Sequence, residues 1–584
     1  MCGIVGCNYK IDNFYKAIEL LNHRGPDNLG FYEYKNHQFG HTRLSIIDLN
    51  EEANQPMVFD DVIITFNGEI YNYKELIKDE NLKCKTKSDT EVILRLYQKY
   101  NINFLNKLEG MFSFCIFDKK DETFFCARDR FGKKPFYYYL KNNDFIFASE
   151  IKSILSILNT TPSLNKDALY QYLSFLAPIE DNTFYKDIKK LPAGHFIIFK
   201  NNQLTIKKYY DLDEIKTSRN NEKEILENIE ELLINSVKKR LVSDVEVATL
   251  LSGGIDSSLT SAFYAKYSDK QINTFCIGYD EHTHYSELPF ARIVSKHINS
   301  NHNELIIQRK DFIQTIDKML EHTDEPFADS ASIPTYLLSE FINKKGIKVA
   351  LSGEGSDESF LGYDNYFKML DYYKTEGSEE EFNLTKEWEF NNRAFNKQHI
   401  YQTCGETFTE KQKEKLFLDY KIKDHLKNYK KCNYDDFKWL TYVDFKVWIA
   451  EVLMTKIDRM SMAHSLELRA PFLDHKLVEY MLSVDKNIKC GNTNKYLLKQ
   501  IAQKYLPKEI VHRQKKGFSS PFIEWIHEEY KDEILEKIKL VNKELNIFNE
   551  DFVKFIYNES KEKRFKQHLW NIYIFSRWFE KVYL

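Results

Sequence analysis

The chain has 584 residues, 43% hydrophobic and 29% charged, with 83 basic side chains against 87 acidic ones. At roughly 150 residues per domain this length predicts two to four domains, each able to bury a core. The near-balance of charge excludes a global field for a nucleic-acid backbone, and no apolar run reaches membrane-spanning length. Nine scattered cysteines with no CxxC pair argue against a disulfide or zinc framework. The opening MCGIVGCNYK turns polar too soon for a signal peptide, so a cytoplasmic setting is expected.

From the start to about residue 210, short alternating apolar runs at 62–66, 111–117, 124–127, 136–140 and 145–148 predict strands. Amphipathic stretches at 14–21 and 90–100 predict helices covering the sheets. The polar, aperiodic segment 211–223 marks a domain boundary, and behind it Ile225, Ile229, Leu232, Leu233 and Val237 fall at helical spacing. Runs at 245–251, 274–277, 305–307 and 347–351 then alternate with helical stretches, which predicts a doubly wound parallel sheet. Beyond Ser356 the pattern is mostly amphipathic helix.

Cys2 stands where removal of Met1 would expose a thiol beside a free α-amine, and such an amine titrates near pH 8 and can act as the thiol's own base. On the dipeptide alone, a small apolar residue opening a strand is the favoured reading. The blocks NHRGPD (22–27), HTRLSIIDL (41–49), FNGEIYNY (66–73), SDTEV (88–92) and RDRFGKKPFYY (128–138) reverse that preference by occurring jointly and in order. Together they resemble the class II, or N-terminal-nucleophile, glutaminase domain, expected over residues 1–210 as an α+β fold of stacked antiparallel sheets between helices. The resemblance makes Cys2 the nucleophile, and Asn67 and Gly68 the oxyanion donors. It gives Arg43 the carboxylate of glutamine, with Glu69 and Asp89 for its ammonium. Cys7, Cys115 and Cys126 lie in apolar runs and are expected to pack in the core.

LLSGGIDSS (250–258) follows an apolar run and opens a helix, and a glycine turn at a helix N-terminus cradles phosphate oxygens. It lacks the Walker lysine and resembles the pyrophosphate loop of the N-type ATP pyrophosphatases. LSGEGSDE (351–358) adds acids beside glycines. The resemblance implies ATP binding by Leu250, Ser252, Gly253, Gly254, Asp256, Ser257, Ser258, Ile277, Ser352, Gly353 and Lys495. Asp256 and Asp357 are the expected Mg2+ ligands, and Glu354 is expected to act near the activated acyl group.

With the blocks DEPFADSASIPTYLLS (from 324), MTKIDRMSMAHSLELRAPFLDH (from 454) and NKYLLK (from 494), the whole chain resembles the glutamine-hydrolysing asparagine synthetases. A synthetase domain over 220–584, an α/β parallel-sheet domain with a helical C-terminal part, is therefore expected. The resemblance implies an acyl-adenylate and an internal ammonia channel between the two sites. Glutamine, ATP and aspartate are the expected small-molecule partners, a homodimer is compatible, and no nucleic acid or membrane is expected. Ser330 stands where the best-known members carry an arginine that helps hold aspartate, and the DEPFxDSS-type segment occurs in subfamilies that amidate other carboxylates, such as surface-sugar or cell-wall acids. Aspartate is favoured over such an acid, and a non-catalytic glutamine or ATP sensor is the alternative from another class. Sugar isomerisation and phosphoribosyl transfer do not suit SGGIDSS.

Overall fold

Successive side chains of a strand point to opposite faces, and apolar runs that fill both faces give the first half two sheets, each with one face toward its partner and one toward helices. The strands are β1 (Gly3–Cys7), β2 (Asn28–Tyr34), β3 (His37–Arg43), β4 (Met57–Phe59), β5 (Val62–Ile70), β6 (Gly110–Asp118), β7 (Thr123–Arg128), β8 (Tyr137–Lys141), β9 (Asp144–Ala148), β10 (Ile188–Lys190), β11 (His195–Lys200) and β12 (Gln203–Lys208). They form two six-stranded sheets, ordered β10-β8-β9-β1-β3-β2 and β12-β11-β7-β6-β5-β4, whose paired strands run antiparallel. The computed structural model describes residues 2–584 except 219, 282–284, 376, 380, 382, 402–406, 432–433, 492, 514–520, 522–524, 526–528 and 562–563.

Between the sheets lie Ile4, Phe39, Phe145 and Phe147 from the first and Ile63, Cys115, Phe117, Phe124 and Cys126 from the second. The rings of Phe117 and Phe124 meet at 4.7 Å across β6 and β7, and truncating either would cost about 3–5 kcal/mol. The outward residues of β6, Phe114 and Ile116, pack instead with Val92 and Leu96 of helix Asp89–Tyr100. Helices Phe14–Glu19 and Ile151–Leu158 cover the other sheet through Phe14, Ile18 and Ile154. Helix, sheet, sheet and helix thus stack in four layers. Cys7, Cys115 and Cys126 are core residues as expected.

The second half is built on a five-stranded parallel sheet: β13 (Val247–Leu250), β14 (Asn273–Tyr279), β15 (Asn301–Ile307), β16 (Val349–Leu351) and β17 (Glu467–Arg469), ordered β15-β14-β13-β16-β17. Winding proceeds outward from β13 in one direction and then resumes with β16 on its other side. This reversal opens a crevice at the carboxyl ends of β13 and β16, where ligands of such sheets bind. Helices dominate after Ser356, ending in Lys566–Tyr583. The strand β17 interrupts them; three residues carry no readable period, so the helical pattern around it hid it in the sequence. Among the described residues no helix is long and apolar enough to cross a membrane.

Candidate active sites

Cys2 precedes β1, and its backbone nitrogen donates to Asn67 Oδ1 at 3.1 Å. That bond fixes the Asn67 amide: with Oδ1 engaged, Nδ2 remains a donor, and it is buried without a partner. Gly68 follows on β5 and lines the Cys2 pocket. A Cβ there would lie 2.2 Å from the Met111 carbonyl oxygen on β6, so the close approach of two strands demands glycine. Burial pushes the Cys2 thiol pKa up, so the resting group is a protonated thiol that needs a base.

The pocket is lined by Cys2, Arg43, Gly68, Glu69, Asp89 and Glu467, with an apolar wall of Leu44, Ile46 and Ile47. Six of the sequence-derived glutamine-site residues are therefore brought together, since Asn67 is bonded to Cys2. Arg43 departs from the free fork expected for a carboxylate. Its terminal nitrogens donate to Asn50 O and Asn54 Oδ1, both at 2.8 Å, and to the carbonyls of Ile47 and Asp48. A ligand carboxylate must exchange with some of these bonds. Glu69 is paired with Arg469 at 3.2 Å. Burial, with Asp89 next in weight, pushes Glu69 well above the carboxylate range, and burial pushes Asp89 up to about 6. Asp89 accepts from the Ile70 nitrogen at 2.9 Å.

The second site lies in the crevice of the parallel sheet. After β13 the chain turns at Gly253, whose φ of +74° is a left-handed conformation natural to glycine, and Gly254 caps helix Ile255–Lys266. Ser252 and Ser257 join their hydroxyls at 3.0 Å, bracing the turn, while Ser258 is fully buried in the first turn of the helix. After β16, Ser352 and Gly353 run against this helix: a Cβ on Gly353 would stand 3.0 Å from the Ser257 nitrogen. The Ser356 hydroxyl donates to Asp256 at 2.6 Å. Lys495 reaches Asp256 at 2.5 Å and Asp357 at 2.7 Å, so both carboxylates lie within the span of a single cation. Burial opposes charge on Lys495, but the two aspartates overcome it and hold its pKa above the lysine range. Leu250 and Ile277 sit on the neighbouring strands β13 and β14.

Two carboxylates converging on one point suit Mg2+, which takes one or two carboxylates and completes its shell with water and phosphate oxygens. Asp256 and Asp357 would hold it, where it would neutralise charge on the phosphates. Glu354 lies beside this pair, and burial raises its pKa against the pull of Lys456.

Lys456 was not singled out from the sequence. It is buried and pairs with Asp329 at 3.3 Å and with Glu354 at 3.8 Å. Asp329 belongs to the 327–330 segment, whose Ala328 carbonyl accepts from Trp570 Nε1 at 3.0 Å and Gln567 Nε2 at 3.1 Å of the final helix. Two and three residues beyond Lys456 on helix Met454–Met462, Asp458 and Arg459 reach the first half. Asp458 pairs with Arg24 and Lys134, and Arg459 with Glu150 at 3.0 Å. Arg24 Nε donates to the Cys2 carbonyl at 3.0 Å. A burial of opposite charges is visible only once the halves dock.

A buried cysteine bonded through its backbone to an asparagine amide in a four-layer α+β domain, joined to a parallel sheet whose crevice holds a glycine turn, two aspartates and a lysine, fits a glutamine-hydrolysing ligase that forms C–N bonds. The comparisons with known proteins agree. Residues 228–580 match the asparagine synthase family and residues 1–210 the glutamine amidotransferase domain, so the chain belongs to the asparagine synthase family. It is 32% identical to asparagine synthetase [glutamine-hydrolyzing] 1 of Bacillus subtilis (strain 168), over 99% of this chain and 96% of that protein. A putative asparagine synthetase [glutamine-hydrolyzing] 2 of Methanocaldococcus jannaschii is 40% identical, over 62% of this chain and 76% of that one. Amidase chyE of Penicillium rubens is 27% identical, over 88% and 85%.

Proposed function

We propose that the chain moves nitrogen from glutamine to a carboxylate activated as an acyl-adenylate, with aspartate as the acceptor and asparagine, glutamate, AMP and diphosphate as products. The convergence of Asp256, Asp357 and Lys495 beside Glu354, at the switch point of the sheet, carries this reading.

In the first site, Cys2 sulfur attacks the amide carbon of glutamine, and Asn67 Nδ2 and the Gly68 N–H take the oxyanion. The α-amine exposed on loss of Met1 accepts the thiol proton and passes it to the departing ammonia. Water then hydrolyses the thioester and frees glutamate. In the second site the acceptor carboxylate attacks the α-phosphorus of ATP, displacing diphosphate, while the 252–258 turn and Lys495 hold the phosphates. Ammonia adds to the acyl carbon, AMP leaves, and Glu354 takes the proton that the new amide sheds. Free ammonia is mostly protonated at neutral pH and then not nucleophilic, which favours an enclosed passage through the seam of helix Met454–Met462.

A second reading keeps this chemistry with another carboxylate as acceptor. It is favoured by Ser330 in place of an arginine, by Asp329 held on Lys456, and by the similarity to proteins named amidases. Incubation with ATP, Mg2+, glutamine and either aspartate or alternative acids, with AMP measured and the amide identified by mass, tests both. Aspartate-dependent AMP and asparagine are expected; AMP formed only with another acid would select the second reading, and none with any acid would reject both.

A further inference from the structure

Glu467 belongs to β17, at the edge of the sheet that carries the nucleotide site, yet it lines the Cys2 pocket with Arg43, Glu69 and Asp89. It is held there firmly. Arg469 donates to Glu467 Oε1 at 2.6 Å and pairs with Glu69 Oε2 at 3.2 Å. The same guanidinium donates to the carbonyls of Arg240 and Val242 at 2.8 and 2.7 Å, so it has no freedom to swing. Glu467 and Arg469 are both fully buried.

The recess is acidic: Glu69, Asp89 and Glu467 line it, Arg469 is engaged by Glu467 and Glu69, and Arg43 turns its terminal nitrogens toward the 47–54 loop. Glu69 Oε1 is buried with no hydrogen-bond partner. Excess negative charge removed from water is costly unless an acid takes a proton or a ligand brings a cation. Burial, with Asp89 next, raises the Glu69 pKa and burial raises that of Asp89, the direction expected of carboxylates crowded together away from water.

We infer that Glu467 is a glutamine-binding residue lent by the second domain, completing with Glu69 and Asp89 the anionic recess that takes the α-ammonium of glutamine. The inference rests on the Cys2 pocket being the glutamine site. It makes that site complete only when β17 is docked against the first half. The opposite wall is held from the second domain as well: the Asp244 nitrogen donates to Ile46 O at 3.0 Å, and its carboxylate accepts from the Asp48 nitrogen at 2.8 Å.

Calorimetric binding to the full chain carrying Cys2→Ala tests it, using L-glutamine and glutaramate, which is glutamine without its α-amino group. Adding Glu467→Gln should weaken glutamine by about 10- to 100-fold, the range of a buried hydrogen bond to a charged group, and so collapse its advantage over glutaramate. Glu467→Asp, which keeps the charge, should recover most of that advantage. Equal losses for both ligands would mark a purely structural role and overturn the inference, as would an undiminished preference for glutamine in Glu467→Gln. Failure of the Cys2→Ala protein with Glu467 intact to bind glutamine would instead overturn the assignment of the pocket, and the inference with it.

Discussion

Arg24 and Asp458 stand 434 positions apart and meet at 2.8 Å, with both side chains buried. Arg24 also holds the Cys2 carbonyl, and Asp458 lies two residues from the Lys456 that pairs with Glu354. One contact therefore connects the surroundings of Cys2 with the helix that carries Lys456. Asp458→Asn would leave Lys134 as a buried cation without its carboxylate and Arg24 with Glu150 alone. Loss of one member of such a pair costs about 3–5 kcal/mol, which denaturant unfolding would report. In the protein that remains folded, glutamine hydrolysis should outrun amide formation, raising the ratio of glutamate to amide product above one. A ratio held at one would show that the seam does not couple the sites.

Cys2→Ala should lower glutamine-dependent amide formation by at least ~1,000-fold, because no other group on the pocket supplies a thiolate. Synthesis with supplied ammonium salts should persist. Loss of both activities in a folded protein would contradict the division of labour between the sites.

The Asp89 carboxyl is held at about 6 against 3.8 for the free group, chiefly by burial. The sign follows from linkage: the ligand-free fold binds this proton more tightly than the unfolded chain, so stability falls as pH rises from about 3.8 to about 6 and then levels. Glutamine's ammonium favours the ionised form. The KM for glutamine should therefore rise as pH falls below about 6, and Asp89→Asn should show a high KM with that pH dependence removed. An unchanged slope in Asp89→Asn would assign the titration to another group.

Burial raises the Glu354 pKa and Lys456 opposes the rise. Replacing Lys456 by Met removes the opposing charge, so Glu354 should ionise at higher pH still. The acidic limb of the pH profile for amide formation should shift upward in Lys456→Met and stay in place in Lys456→Arg. Equal shifts in both variants would point to a packing effect rather than to charge.

Much of the architecture follows from local pattern. The short apolar runs at 111–117 and 124–127, bounded by turn residues, marked strands, and their side chains point alternately to two faces that are both buried. The glycine turn and helix expected after 245–251 are present, because φ near +74° at Gly253 and a helix N-terminus behind it are properties of a few adjacent residues. Cys2, Asn67, Gly68, Asp256 and Asp357 were expected from short motifs, and the structure gathers the first three around one pocket and the two aspartates around Lys495. Strand β17 was not, since three residues between helices have no period.

The sequence by itself led to the two expected chemistries, a thiol with its oxyanion donors and an acid-bearing cradle for phosphates, because short motifs spread along each half occur jointly and in order. Only the tertiary structure decided how they meet. Glu467 on the wall of the Cys2 pocket, Arg469 reaching Glu69, and Lys456 between Asp329 and Glu354 are placements across a hundred residues or more. Each joins buried charges that water would otherwise solvate, and the requirement that a buried charge find its opposite is satisfied by position in space, which spacing along the chain does not encode.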